Sequence, residues 1–193
     1  QAEYKQMKQR LLLSALFTIP LFYISMGHMM GWPLPSSLLG MENAISFAFT
    51  QFLLLIPVVF INFKYYRMGF KTLFHGSPNM DSLIAIGSSA AIVYGIYAVY
   101  KIGIGFGHGD MATVHSFMMD LYFESAGMIL TLITLGKTLE ARAKGKTSDA
   151  ITKLMNLAPK TAIVERDGKE LQVPVEEVQL GETLIVKAGE SVP

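Results

Sequence analysis

Four apolar stretches constrain this chain more than any other feature: Leu11–Met29, Ile45–Phe63, Met80–Tyr100 and Leu121–Leu139. About 20 helical residues span a hydrocarbon core of roughly 30 Å, and each stretch is near that length. Pro20 and Pro57 lie inside the first two, where lipid-embedded helices tolerate proline with a kink. Composition agrees with membrane helices: mean hydropathy is +0.40 and only 16% of residues are charged, against about 25% in soluble domains. Between Leu11 and Phe63 the only formal charge is Glu42, whereas the residues after Lys137 read as a soluble domain. The first residues, QAEYKQMKQR before LLLSALF, lack a well-placed small-residue cleavage site, so they read as the lead into a first span and not as a signal peptide.

The connecting segments set orientation, because cytoplasmic loops carry an excess of Lys and Arg. Lys5, Lys8 and Arg10 precede span one; Lys64, Arg67 and Lys71 separate spans two and three; Lys137, Arg142, Lys144 and Lys146 close span four. The other two loops hold only Glu42 in one, and Lys101, Asp110 and Asp120 in the other. This distribution predicts a multi-pass cell-membrane protein with both chain ends cytoplasmic and membrane lipid around it. A net charge of +1 gives no reason to expect a nucleic-acid partner, and the absence of cysteine excludes disulfides and thiolate metal sites within these residues.

Gly76, Ser77 and Pro78 end a basic, aromatic segment (Lys64–Phe74) and place Met80 at the mouth of span three, at the water boundary. That basic segment reads as an interfacial amphipathic helix, serving either membrane-surface anchoring or docking. Gly87, Ala91 and Gly95 form a small-residue face suited to close packing against span four or two. Beyond span four, Thr147 or Ser148 is placed to cap a short helix with Ile151, Leu154, Met155 and Leu157 on one face, ended by Pro159. Thr161–Glu165, an Arg166–Lys169 turn and Glu170–Val173 read as a hairpin, with a further strand at Thr183–Lys187. These are too few strands for a closed small domain, which suggests a longer polypeptide.

Ionisable residues inside membrane spans are costly and therefore functional candidates. Glu124 falls near the outer end of span four and Glu140 near its inner end, 16 residues or about 24 Å of helix apart. Topology puts Met80 and Glu140 at one cytoplasmic level. A thioether beside a carboxylate suits a soft monovalent ion such as Cu(I), although on pattern alone Met80 reads first as a gap-filling residue and Glu140 as an interfacial ion pair. His28, Met29 and Met30 on one outer loop, and His108, Met111, His115, Met118 and Met119 on the other, read as packing before they read as a site. GFGHGD (105–110) reads as a flexible loop, not a nucleotide motif, because no strand precedes it. No phosphate loop, nucleophile triad or paired catalytic carboxylate is visible.

The runs PNMDSLIAIGSSAAIVYG, YFESAGMILTLITLGKTLEARAKGKTSDAITKLMNLAPKTAIV and VEEVQLGETLIVKAGESVP closely resemble copper-transporting P-type ATPases of the heavy-metal subfamily, bacterial CopA type. The likeness implies a mainly α membrane protein: four transmembrane helices followed by the beginning of a cytoplasmic β-rich actuator domain. It implies a cytoplasmic segment (1–10), two subfamily-specific helices (11–63), a basic platform and linker (64–79), the first two core helices (80–140), and a linker with a partial actuator domain (141–193). Met80 in NMDSL and Glu140 in GKTLE match the family's cytoplasmic copper-uptake residues, and Glu124 in YFE matches the glutamate of its release pathway. Lys64, Arg67 and Lys71 match the platform on which a cytosolic copper chaperone docks.

In the family, Cu(I) is the transported ion. ATP and Mg drive phosphorylation of an aspartate in DKTGT, copper moves through a CPC motif, and a TGE loop assists dephosphorylation; none of these motifs occurs in the present residues. The enzyme expected is therefore the copper-exporting translocase as a full-length protein, with the remainder of the polypeptide as partner. One departure is clear: family members often carry a Gly-Gly pair that kinks the second helix, where this chain has Ile61-Asn62, which puts the sharp kink in doubt and leaves Gly69 as a source of a gentler bend. Rival readings are a zinc or cadmium pump of the same subfamily and a non-enzymatic four-helix membrane protein that binds metal.

Overall fold

A computed structural model describes residues 2–156 and 159–193. The chain divides into two compact units, 1–141 and 142–193, and the helix that carries the first into the second is continuous.

The first unit is a helical bundle. Helices α1 (Ala2–Met30), α2 (Ala44–Ile61), α4 (Met80–Gly107) and α6 (Phe123–Asn156) are long and apolar enough to cross a membrane, the fourth candidate span covering α5 (Met111–Met118) together with α6. Both prolines are carried inside their helices. The outer faces stay apolar: Leu16, Ile19, Phe60 and Val93 are each more than 60% exposed, as lipid-facing side chains are, while the polar hydroxyls Ser14, Thr18, Ser88 and Thr134 point inward and are buried. Close approach depends on small residues. Gly127 of α6 lies against Leu21 and Thr18 of α1, where Thr18 also shares a 2.8 Å hydrogen bond with Thr131. Gly95 lies against Phe123 and the Leu121 carbonyl. Of the predicted small-residue face on span three, Gly95 makes this contact, whereas a methyl group at Gly87 would meet nothing within 4 Å.

Three elements depart from the sequence expectation. First, the helix is interrupted without Gly-Gly: α2 ends at Ile61, Asn62 leaves helical geometry (φ −105°, ψ 24°), and α3 (Phe63–Phe74) begins at once. The helix continues without interruption through Gly69, whose missing side chain admits the backbone of Asp81 and Ser82 at the start of α4. Second, the glycine-rich segment is not all loop, since α4 continues to Gly107 and Asp110 caps α5 through the Thr113 amide at 3.2 Å. Third, Thr147 and Ser148 start no new helix. The Thr147 hydroxyl donates to the Ala143 carbonyl at 3.0 Å, a back-bond within the uninterrupted α6. Leu157 of the predicted short helix lies outside the described residues.

In the second unit, β1 (Thr161–Arg166) pairs antiparallel with β2 (Lys169–Pro174) through a two-residue turn, Asp167-Gly168, whose φ values of 53° and 77° match the twist of a tight hairpin. β3 (Thr183–Leu184) pairs with the other edge of β1, giving the order β2-β1-β3. Arg166 and Glu182 clasp this sheet through two 2.9 Å hydrogen bonds.

Candidate functional site

At the α3 end of the bundle, the start of α4 is fixed before it reaches the core. The Asn79 side chain accepts from the Ser82 amide at 3.1 Å while the Asn79 amide donates to the Ser82 hydroxyl at 3.2 Å, a reciprocal cap that satisfies two orphan donors. The Ser82 hydroxyl in turn donates to the Gly69 carbonyl at 2.7 Å, tying α4 to α3. Met80 is therefore the first helical residue, 60% exposed, on a backbone held from both sides.

Its neighbour Asp81 accepts from Lys137 of α6 at 2.9 Å. Glu140 is exposed one turn beyond Lys137, so this ion pair brings the segments carrying Met80 and Glu140 to one level of the bundle. Lys137 also lies 4.8 Å from the Tyr65 ring, and Arg10 of α1 lies 5.0 Å from the same ring. The ring and the carboxylate thus keep two cations in place close to the bundle core.

Behind them sits a polar hub that the residue pattern did not announce. Asn62 is fully buried and donates to Ser14 at 2.8 Å and the Val58 carbonyl at 2.9 Å. Its oxygen accepts from Arg10 at 3.2 Å and Thr134 at 3.0 Å, and Thr134 also bonds the Tyr65 phenol at 2.9 Å. One amide thus joins α1, α2 and α6 at the point where the chain turns into α3. The signal was available: an Asn at the end of an apolar span is expensive unless partnered.

On α3, Tyr65, Tyr66 and Gly69 face inward, and Ser88 hydrogen-bonds the Tyr66 phenol at 2.8 Å. Lys64, Arg67 and Lys71 are all exposed, and their spacing places them along one side of the helix. α3 is thus an amphipathic helix, with Tyr65, Tyr66 and Gly69 buried and its basic side exposed.

Glu124 lies half-buried in the first turn of α6, at the opposite end of the bundle. It lines a pocket of about 30 Å³ with His28, Gln51, Met118 and Met119. Among the described residues no cluster of three or more His, Cys, Asp or Glu side chains has metal-binding geometry.

Residues 156–193 match the P-type ATPase actuator domain. A copper-exporting P-type ATPase from Staphylococcus epidermidis is 36% identical over 192 residues, which is 99% of this chain and 22% of that protein. One from Staphylococcus aureus is 38% identical over 185 residues, 95% of this chain and 21% of that protein. The chain is a homologue of copper-exporting P-type ATPases. It spans about a fifth of the length of the curated relatives it matches. The similarity extends over the residues of both units.

Proposed function

We propose that this chain forms the membrane intake of an ATP-driven Cu(I) export pump, with both ends of the chain on the cytoplasmic side. The observation that carries the reading is the match over 95–99% of the chain to proteins that bear that activity in their names. Cu(I) is the cargo. A neutral thioether at Met80 suits a soft monovalent ion, and the Glu140 carboxylate balances its charge. The Asp81–Lys137 pair supports the reading by fixing the two segments that present these groups. Glu124 acts at the release end. ATP hydrolysis, with Mg, is the work of the intact polypeptide.

Lys64, Arg67 and Lys71 offer three exposed cations to an acidic cytosolic copper chaperone. Replacing all three by Glu slows association and reverses the sign of its salt dependence, because rim charges act mainly on encounter and salt then screens a repulsion. The decisive test is Met80→Ala with Glu140→Gln in the intact ATPase. Copper-stimulated ATP turnover falls at least about tenfold at limiting Cu(I); turnover at the wild-type level overturns the uptake assignment.

A further inference from the structure

The Met and His residues of the two outer connections read as packing in the sequence, yet four chain segments bring several of them to one pocket. His28 and Met29 come from the end of α1, Gln51 from α2, Met118 from α5, and Met119 from the turn before α6, where Glu124 closes the lining. His28 is seated by the Phe47 ring, 4.6 Å between centroids. Asp110 anchors α5 through the Thr113 amide and hydroxyl, which fixes the helix that delivers Met118.

Gln51 gives this pocket its meaning. The side chain is fully buried, and neither its amide nitrogen nor its amide oxygen has a hydrogen-bond partner. A buried amide left unmatched is costly, and a polar occupant recovers that cost. The cavity measures about 30 Å³, enough for an occupant the size of one water or one small cation. Two thioethers and an imidazole are poor partners for hard cations and good ones for a soft monovalent ion, with one carboxylate at the edge to offset its charge.

We infer that His28, Met118 and Met119 form a binding site for a soft monovalent cation at the far end of the bundle, with Gln51 orienting the imidazole or contributing its carbonyl oxygen. This inference rests on the reading of the chain as a Cu(I) conduit. The site gives the ion a defined stop beside Glu124 before it leaves the membrane.

Methionine oxidation tests it, because a metal bound at sulfur blocks the lone pair that peroxide attacks. The intact protein is treated with hydrogen peroxide with and without Ag(I), and each methionine sulfoxide is followed by mass spectrometry. Exposed Met155 of α6 serves as the reference. At free Ag(I) about ten times the dissociation constant, oxidation of Met118 and Met119 slows roughly tenfold relative to Met155. His28→Ala and Gln51→Leu each abolish that protection. An unchanged basal rate at Met118, which is 3% exposed, shows that the variants remain folded.

Protection of Met80 without protection of Met118 and Met119 overturns the site and leaves the transport reading standing. Protection of Met118 and Met119 alone supports the site and counts against uptake at Met80. Protection that persists in the His28→Ala variant overturns the ligand assignment, and no protection at any of the three methionines overturns both readings.

Discussion

Replacing Asn62 by alanine removes an amide with four side-chain hydrogen bonds and adds no new group, so the energetic consequence is traceable bond by bond. Three of the bonds are neutral: to Ser14 at 2.8 Å, to the Val58 carbonyl at 2.9 Å and from Thr134 at 3.0 Å. In membrane proteins such bonds average about 0.6 kcal/mol. The fourth comes from Arg10 at 3.2 Å. Bonds to charged groups contribute about 1.5–3 kcal/mol when buried, but Arg10 is only half-buried, which reduces its share to about 1 kcal/mol. The sum is about 3 kcal/mol, or roughly a hundredfold in the folding equilibrium.

Thr134 is not stranded by the change, since it still donates to the Leu130 carbonyl at 2.7 Å, so little further penalty arises there. The assay is reversible unfolding of the purified protein in mixed micelles with increasing SDS, followed by helicity. A double-mutant cycle with Ser14→Ala isolates the buried pair. A loss below about 1 kcal/mol for Asn62→Ala, with no coupling to Ser14, refutes the view that this amide holds α1, α2 and α6 together.

Two further perturbations follow from particular contacts. At Gly69, an added methyl group would strike the Asp81 carbonyl and lie 2.9 Å from the Ser82 nitrogen, both backbone atoms that move only if α4 moves. Gly69→Ala therefore destabilises the bundle by about 1–3 kcal/mol, whereas Gly87→Ala, which meets nothing within 4 Å, stays within about 0.5 kcal/mol; equal effects in SDS titration would discard the close-approach assignment. In the sheet, hydrogen bonds from Arg166, helped by the Gln179 amide, hold the Glu182 carboxyl below the usual carboxylate range. A depressed folded value means that the pair's stabilisation is present above the unfolded glutamate value of about 4.3 and is lost as pH falls through the lower folded value. Exchange of the Ile185 amide, bonded to the Ile163 carbonyl at 2.8 Å, reads this out. The amide becomes less protected on acidification in the native protein, and Glu182→Gln flattens that dependence.

Elements whose cause is local were legible in the sequence, and elements whose cause is distant were not. Apolar length alone announces four spans, and Asp167-Gly168 announces its hairpin because positive φ at both turn residues is a two-residue property. The basic face of α3 follows from spacing within one helix. The break at Asn62 does not follow from its neighbours, because its cause lies in Arg10, Ser14 and Thr134, on helices far away in the chain. The extension of α4 to Gly107 reads as loop from its glycines, yet Gly105 is there to admit Val114 of α5, 2.8 Å from where a methyl group would stand. The far pocket was hidden for the same reason: its ligands come from four segments, and only their assembly separates them from ordinary core methionines.

Gln51 and Asn62 make the contrast between the two ends of the bundle measurable. Both are fully buried amides in or at the end of the same apolar helix. At the α3 end Asn62 has every partner it needs, so its removal costs stability. At the far end Gln51 has none, so in the absence of an ion its replacement by the apolar, similarly sized leucine relieves an unmatched amide. Gln51→Leu is thus expected to stabilise the bundle by about 1–2 kcal/mol, the opposite sign to Asn62→Ala, because exchanging an unsatisfied polar group for a well-packed apolar one is neutral or favourable. Saturating Ag(I) then narrows the gap, since it stabilises the native protein and leaves the Gln51→Leu variant unaffected at this pocket. A variant destabilised as strongly as Asn62→Ala would mean that Gln51 is already satisfied in the folded protein, and the polar occupant inferred for the pocket would lose its physical basis.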